Sequence, residues 1–308
     1  MNLTFNNKNY PSLAEFIQQE KENSGSLYGK RLEFAHEIDS TVIQALEATH
    51  IQSAINKLAD LLVSFQSGPE ISSGIVIDSN NFPEIYDILR HCCKTLGVKI
   101  PHAVVSARMP GINAYASGTV ETPYLLISDL ASHLLTKEEL TFIIGHECGH
   151  LAMEHLVYHF IGNSMYHLSK MLPVIGPLLV QLVNLPINTW KRYSEITADR
   201  AGFLCCGDLK TAQRALMKLE SAFANVSEVE LDTYIEQSLE SLENMKLGAI
   251  REFLIDHPYT PKRLKALQYF SQSEMYYRIT GKEAPSNAYL LPDTTLKEKI
   301  NDLLTILK

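Results

Sequence analysis

The segment His146-Glu147-Cys148-Gly149-His150 places two histidines four residues apart, with a glutamate directly after the first. On a helix, positions four apart share one face about 6 Å from each other, so both imidazoles can bind one metal ion. A zinc ion lowers the pKa of its bound water to about 7, and the adjacent Glu147 carboxylate can take that proton as a general base. The segment predicts a hydrolytic zinc site, although a match this short also arises by chance.

Such a zinc ion usually takes three protein ligands, so a third must lie outside this pair. Two nearby candidates are unsuitable on an ideal helix. His155 lies five residues past His150 and is rotated off the shared face. Glu154 lies eight residues from His146, a rise of about 12 Å. The third ligand is therefore expected on another element.

A second helical segment, residues 194–200, carries Glu195 and Asp199 four positions apart. We expect Glu195 to bind the metal and Asp199 to hold the second N–H of a ligating histidine, which fixes the tautomer of the imidazole. The alternative is a surface helix whose acidic residues pair with Arg192 and Arg200. Like charges four apart repel on an isolated helix, which favours a shared cation.

The elements that position these residues are predicted from periodicity and capping. Thr136 and Glu139 match a capping box, so the helix with the metal-binding segment should begin there. Apolar β-branched runs predict three strands, and helical spacing predicts a helix between the first two. The strands are expected at residues 75–77, 103–105 and 124–128, the helix at 82–96.

The carboxyl third is predicted to be mostly helical. Helices are expected over residues 192–206, 208–219 and 228–245. A further helix is expected to begin with Thr260 as its N-cap and Pro261 in its first turn. Asp208 is a candidate cap for the second of these helices.

The predicted fold class is α+β, mostly α: a zincin-type domain with a small sheet and helical additions. We expect a helical amino-terminal region over residues 1–70 and a metallopeptidase domain over 71–270. A hydrophobic insertion is expected at about 160–190, and a helical tail, packed on the same unit, at 271–308.

Composition narrows the choice of partners and compartment. The 308 residues are 45% hydrophobic with a formal charge of −8, which argues against a nucleic-acid partner. The five cysteines lack the spacing of a zinc ribbon, so reduced thiols are expected. No signal-peptide pattern is present at the amino terminus, and the predicted location is cytoplasmic.

Residues 171–190 carry no charged side chain and approach the length of a membrane span. Pro173, Pro177 and Pro186 interrupt this run and disfavour a span. We expect a buried hairpin or a hydrophobic lip over the site, while peripheral membrane contact through residues 171–190 stays open.

Several segments together resemble a known family. Asn113-Ala114-Tyr115 is similar to its Asn-Ala-aromatic element, and Tyr124 to Ser128 to its edge strand. Glu195 to Asp199 resembles its Glu-x-x-Ala-Asp motif, and His257-Pro258 its later His-Pro pair. With the segment 146–150, these features resemble the HtpX-like and CAAX-prenyl-protease-type zinc metallopeptidases, which are gluzincins.

The resemblance implies one Zn²⁺ per chain with Glu195 as its third ligand beside His146 and His150. It also implies that His257 approaches the metal, either to stabilise the oxyanion or to occupy the fourth position in a resting form. A plain role for His257 at the entry of a helix remains an alternative.

The resemblance further implies that a peptide binds as an added strand along the sheet edge. The residues expected at this edge are Asn113, Tyr115, Tyr124, Leu125, Leu126 and Ile127. Clear membrane spans before the metal motif are lacking, so processing of prenylated proteins is not implied.

The predicted function is a zinc-dependent endopeptidase that hydrolyses unfolded or extended protein segments, with Glu147 as general base on zinc-bound water. One alternative is a silent or gated zinc-binding protein that recognises clients in the manner of a chaperone. Another is a zinc hydrolase acting on a different amide. The sequence leaves the oligomeric state open.

Overall fold

The computed structural model describes residues 31–36, 71–118, 123–153, 155, 176–221, 223, 225–244 and 257–305. Most of the helical region predicted for residues 1–70 lies outside these ranges, as does the 160–175 part of the predicted insertion. The described residues form a mostly helical protein with one small sheet, as the sequence predicts.

The sheet has the spatial order β1-β2-β4-β3. Strands β2 and β4 are parallel, and the other two pairs are antiparallel. The strands are β1 Ile75–Val76, β2 His102–Ser106, β3 Ala114–Gly118 and β4 Pro123–Ser128.

The predicted edge strand over residues 124–128 is wrong, because β4 lies between β2 and β3. Leu125, Leu126 and Ile127 are fully buried, as an apolar run covered on both faces requires. Among the described residues the sheet has two edges, β1 and β3, and β3 is a strand of small residues that was not predicted as a strand. Of the predicted edge residues, only Tyr115 lies in β3, and Asn113 directly precedes it.

Ten helices are described. They are α1 Arg31–Phe34, α2 Pro83–Leu96, α3 Asp129–Leu134, α4 Lys137–Ala152, α5 Gly176–Cys206, α6 Leu209–Ser221, α7 Leu231–Asn244, α8 Thr260–Ser271, α9 Glu274–Thr280 and α10 Asp293–Leu304.

The start of α4 confirms the predicted capping box. The Thr136 hydroxyl accepts the Glu139 N–H at 3.2 Å, and the Glu139 carboxylate accepts the Thr136 N–H at 2.8 Å. The cap predicted for α8 is wrong: Thr260 is its first helical residue, and Tyr259 is the N-cap without a side-chain hydrogen bond.

Helix α5 runs further back than the predicted helix over 192–206. Its first half covers residues 176–190 of the uncharged run, and Pro177 lies in its first turn, where a missing N–H removes no helical bond. The expected hairpin or hydrophobic lip stays a prediction. No helix in the described ranges is both long and apolar enough to cross a membrane. Peripheral contact through residues 171–190 stays a prediction.

Helices α4 and α5 pack at very short range because glycines line their contact. A Cβ on Gly149 would lie 2.7 Å from the Ala201 Cβ, and one on Gly202 would lie 2.6 Å from the Phe142 carbonyl oxygen. Real Cβ atoms do not approach so closely, so any larger residue at these two positions would force the helices apart. The two helices that carry the predicted metal ligands are thereby held side by side.

The core continues from the sheet into the carboxyl-terminal helices. Tyr276 of α9 and Ile300 of α10 are buried in the same apolar cluster as Leu125. Cys148 is also fully buried there, with its sulfur 3.9 Å from that of Cys93. None of the five cysteines forms a disulfide.

Candidate metal centre and active site

The structure brings His146 and His150 of α4 together with Glu195 of α5. Each histidine Nε2 lies 3.5 Å from one Glu195 oxygen, and the two Nε2 atoms are 3.1 Å apart. One ligand atom from each residue lies within 4.8 Å of the others, and all three residues are buried. Two imidazole nitrogens and a carboxylate oxygen form a donor set typical of a hydrolytic zinc site.

The surroundings of Glu195 support binding of a cation. Both of its oxygens are buried, and neither accepts a well-aligned hydrogen bond from a described residue. His257 Nδ1 and Arg263 Nη2 lie 3.1 and 3.2 Å from Oε2. Burial alone would raise the pKa of Glu195, but the charges of His257 and Arg263 hold this pKa well below its usual value. Oε1 lies 3.5 Å from His150 Nε2 and accepts no hydrogen bond from a described residue. An ionised carboxylate is costly to bury in this state, so the three residues fit a metal ion.

Asp199 lies one helical turn beyond Glu195 and faces His146. The His146 Nδ1 is 3.0 Å from Asp199 Oδ1. The Nε2 of His146 is therefore left facing His150 and Glu195, and these three residues are called the cluster below. Asp199 in turn accepts two hydrogen bonds from Arg263, at 2.7 and 2.9 Å. Burial would raise the pKa of Asp199, but Arg263 outweighs this effect and lowers it.

Arg263 is a site residue that was not predicted from the sequence. Its side chain is 1% exposed and contacts Glu195, Asp199 and Glu220. The two acidic residues four apart on α5 indicated a shared cation, and the expected partner was a metal ion or, alternatively, Arg192 and Arg200 of the same helix. Nothing local in α8 distinguishes Arg263 from a surface arginine, because its partners are distant in sequence.

Glu147 connects the cluster to the edge of the sheet. Its Oε2 accepts the Ala116 N–H of β3 at 2.7 Å, and its Oε1 lies 3.9 Å from His146 Nε2. Burial raises the pKa of Glu147 to about 7, against an opposing effect of His146. A carboxyl group with a pKa near neutrality is well suited to accept and return a proton.

His257 approaches from the segment before α8. Its Nδ1 lies 3.1 Å from Glu195 Oε2, while the side chain is 52% exposed. The Glu195 charge raises the pKa of His257 to about 9, which makes the imidazole cationic at neutral pH. The geometry therefore places a positive, solvent-accessible group beside the cluster.

The two remaining residues expected at the sheet edge occupy different environments. Asn113 forms two hydrogen bonds with Ser128. Its carbonyl oxygen accepts the Ser128 N–H, and its N–H donates to the Ser128 hydroxyl oxygen. Tyr115 packs against Val104 and Leu126. Tyr115 thus belongs to a small apolar group on one face of the sheet, and the main core packs on the opposite face.

The fold and the site define the class of the protein: a zincin-type α+β metallopeptidase domain, with a His-Glu-x-x-His helix and a carboxylate from a second helix. The chain belongs to peptidase family M48, whose sequence profile matches residues 79–271, well over half of the chain. The resemblance to HtpX-like metallopeptidases is confirmed.

Two curated relatives illustrate the degree of similarity. The "Plastoglobule-localized metallopeptidase 48, chloroplastic" of Arabidopsis thaliana is 24% identical over 214 residues, 67% of this chain and 62% of that relative. A "Protease HtpX homolog" of Archaeoglobus fulgidus is 26% identical over 223 residues, 59% of this chain and 66% of the relative. The chain thus spans slightly less than two thirds of either. No solved structure gives a significant match.

Proposed function

We propose that this chain is a zinc-dependent endopeptidase that hydrolyses peptide bonds in unfolded or extended protein segments. The observation that carries the proposal is the buried cluster of His146, His150 and Glu195 with Glu147 beside it. Membership of a peptidase family supports the same reaction class.

His146, His150 and Glu195 would hold one zinc ion per chain, and Asp199 would fix the tautomer of His146. When bound, zinc supplies a Lewis acid that polarises the scissile carbonyl and lowers the pKa of water. The buried Oε1 of Glu195, which accepts no hydrogen bond from a described residue, supports this assignment.

Glu147 acts as the general base and then as the general acid. Its carboxylate takes a proton from the attacking water and passes it to the leaving amine, so no net proton is consumed. The Ala116 N–H holds this carboxylate in a fixed orientation. His257, cationic and half-exposed, stabilises negative charge that develops on the carbonyl oxygen. Occupation of the fourth metal position in a resting form is its alternative role.

The substrate is proposed to pair with β3, which contains Tyr115, rather than with β4. Among the described residues, β3 is the sheet edge next to α4. A peptide added to this edge would be held mainly through its backbone. Such binding requires extended chain on both sides of the cleaved bond, which favours unfolded protein over small amides.

The test compares the wild type with Glu147→Gln, a variant of equal size that cannot accept the proton. Zinc content is measured by elemental analysis, and cleavage of casein is followed in parallel. We expect one zinc per chain in both proteins and a loss of cleavage by at least about 100-fold in the variant.

Zinc binding without cleavage by the wild type would favour the gated or client-binding alternative. Cleavage of small amides but not of casein would favour a different amide hydrolase. A wild type without zinc would refute the proposed mechanism.

A further inference from the structure

His155 lies three residues beyond the end of α4 and has no exposed surface. Its Nδ1 is 2.8 Å from the Nδ1 of His150. The indole of Trp190, from α5, meets the His155 ring edge-on at 5.5 Å between centroids. His155 is thus held between a proposed metal ligand and a buried aromatic ring.

The short distance between the two Nδ1 atoms fits one N–H···N hydrogen bond, and a metal bound to His150 would set its direction. The Nε2 of His150 faces Glu195 and His146, so binding of a metal there requires a lone pair on Nε2. The proton of the neutral His150 ring is then on Nδ1. Since Nδ1–H is a donor, the His155 Nδ1 must accept, and the proton of a neutral His155 is on Nε2.

We propose that His155 is a positioning residue that fixes the tautomer and ring orientation of His150. Asp199 has the same role for His146. The two histidines of the cluster would then be held by partners of different charge, a neutral imidazole and a carboxylate. This inference rests on the proposed metal site.

The neutral partner suits the charge balance of the site. Glu147, Glu195 and Asp199 already bury three carboxyl groups, and Arg263 is a fully buried cation that contacts two of them. A carboxylate behind His150 would itself have to be desolvated, at a cost that a neutral group does not carry. An imidazole accepts the hydrogen bond without adding that charge.

The experiment compares His155→Asn with His155→Leu. The two side chains have nearly equal size, but the asparagine oxygen can accept the His150 N–H from about the place of the lost Nδ1. Zinc affinity is measured by competition with a chromophoric chelator. We expect His155→Leu to bind zinc about 10–100-fold more weakly than the wild type, and His155→Asn to stay within a few-fold.

Melting temperatures of the metal-free forms separate packing from positioning, because both variants lose the same ring. Equal zinc affinities for the two variants would overturn the proposal. So would two-bond ¹H–¹⁵N spectra of the zinc-loaded wild type that place the His155 proton on Nδ1, a measurement that needs no folded variant.

The outcomes distinguish this inference from the proposed function. A wild type that binds no zinc refutes the metal site itself. A wild type that binds zinc but cleaves no peptide refutes the peptidase activity, while the comparison of Asn with Leu still tests His155.

Discussion

The guanidinium of Arg263 lies among three carboxylates, and its contacts with Glu195 and Asp199 are fully buried. These two acids come from the helix that contributes the proposed third ligand. A buried pair is weak evidence for net stability, but removal of one partner leaves an uncompensated charge in the core. Arg263 is therefore a condition for folding of the site as well as for its geometry.

We predict that Arg263→Met lowers the free energy of unfolding of the metal-free protein by about 3–5 kcal/mol. Urea unfolding measures this change. The control is Arg278→Met, whose pair with Asp293 is half-exposed and should contribute at most about 1 kcal/mol. Similar losses in both variants would contradict a special role for the buried arginine.

At the level of single residues, the sequence predicted those site residues that a short motif or helical spacing identifies. His146, Glu147 and His150 are adjacent in the chain, and Glu195 with Asp199 repeats at helical spacing. His155 was set aside as a ligand, and its contact with His150 depends on how the chain continues after α4. Arg263 has partners in α5 and α6, and no periodicity in α8 encodes that arrangement.

At the element scale the starts of α2, α4 and α6 were predicted to within about one residue, because caps and apolar spacing are local. The start of α5 and the cap of α8 were not predicted correctly. Asp208 was predicted to cap α6, and its carboxylate accepts the Thr211 N–H at 2.8 Å. Strand order was not predictable in the same way. The run over residues 124–128 predicted a strand correctly, but its place beside β3 depends on a pairing that local propensity does not specify.

The Asp208 cap predicts a pH-dependent stability. Hydrogen bonds from Thr211 lower the pKa of Asp208, so the carboxylate stabilises the fold above its unfolded pKa of about 3.9. This stabilisation is lost as the pH falls through the lowered value. Asp208→Ala should cost about 1 kcal/mol at pH 7, and the difference from the wild type should shrink in acid.

Urea unfolding at a series of pH values measures this difference. Asp208→Asn is the control, because an asparagine oxygen can also cap the helix and should retain most of the stability at pH 7. A difference between wild type and Asp208→Ala that stayed constant into acid would contradict the role of the ionised cap.

On the scale of the whole molecule, one apolar core extends from the sheet to the last described helix. Ile300 of α10 is fully buried within it. The only tryptophan of the chain, Trp190, lies beside His155 at the proposed metal site. The fluorescence of Trp190 therefore reports unfolding of a part of the core that is far from Ile300 in sequence.

We predict that Ile300→Ala shifts the whole thermal transition seen by Trp190 fluorescence. The cavity should cost about 2–5 kcal/mol, and the Trp190 signal and helical circular dichroism should change together. Glu298→Ala, on the exposed side of α10, should leave the transition in place. Loss of α10 structure before the Trp190 signal would show that the tail is a separate unit.

The late position of Arg263 in the chain also affects when the site can form during synthesis. Synthesis proceeds from the amino end, so Glu195 and Asp199 leave the ribosome well before Arg263 does. Until then both carboxylates lack the cation that compensates their burial. We therefore expect the proposed metal site to close fully only after α8 has been synthesised.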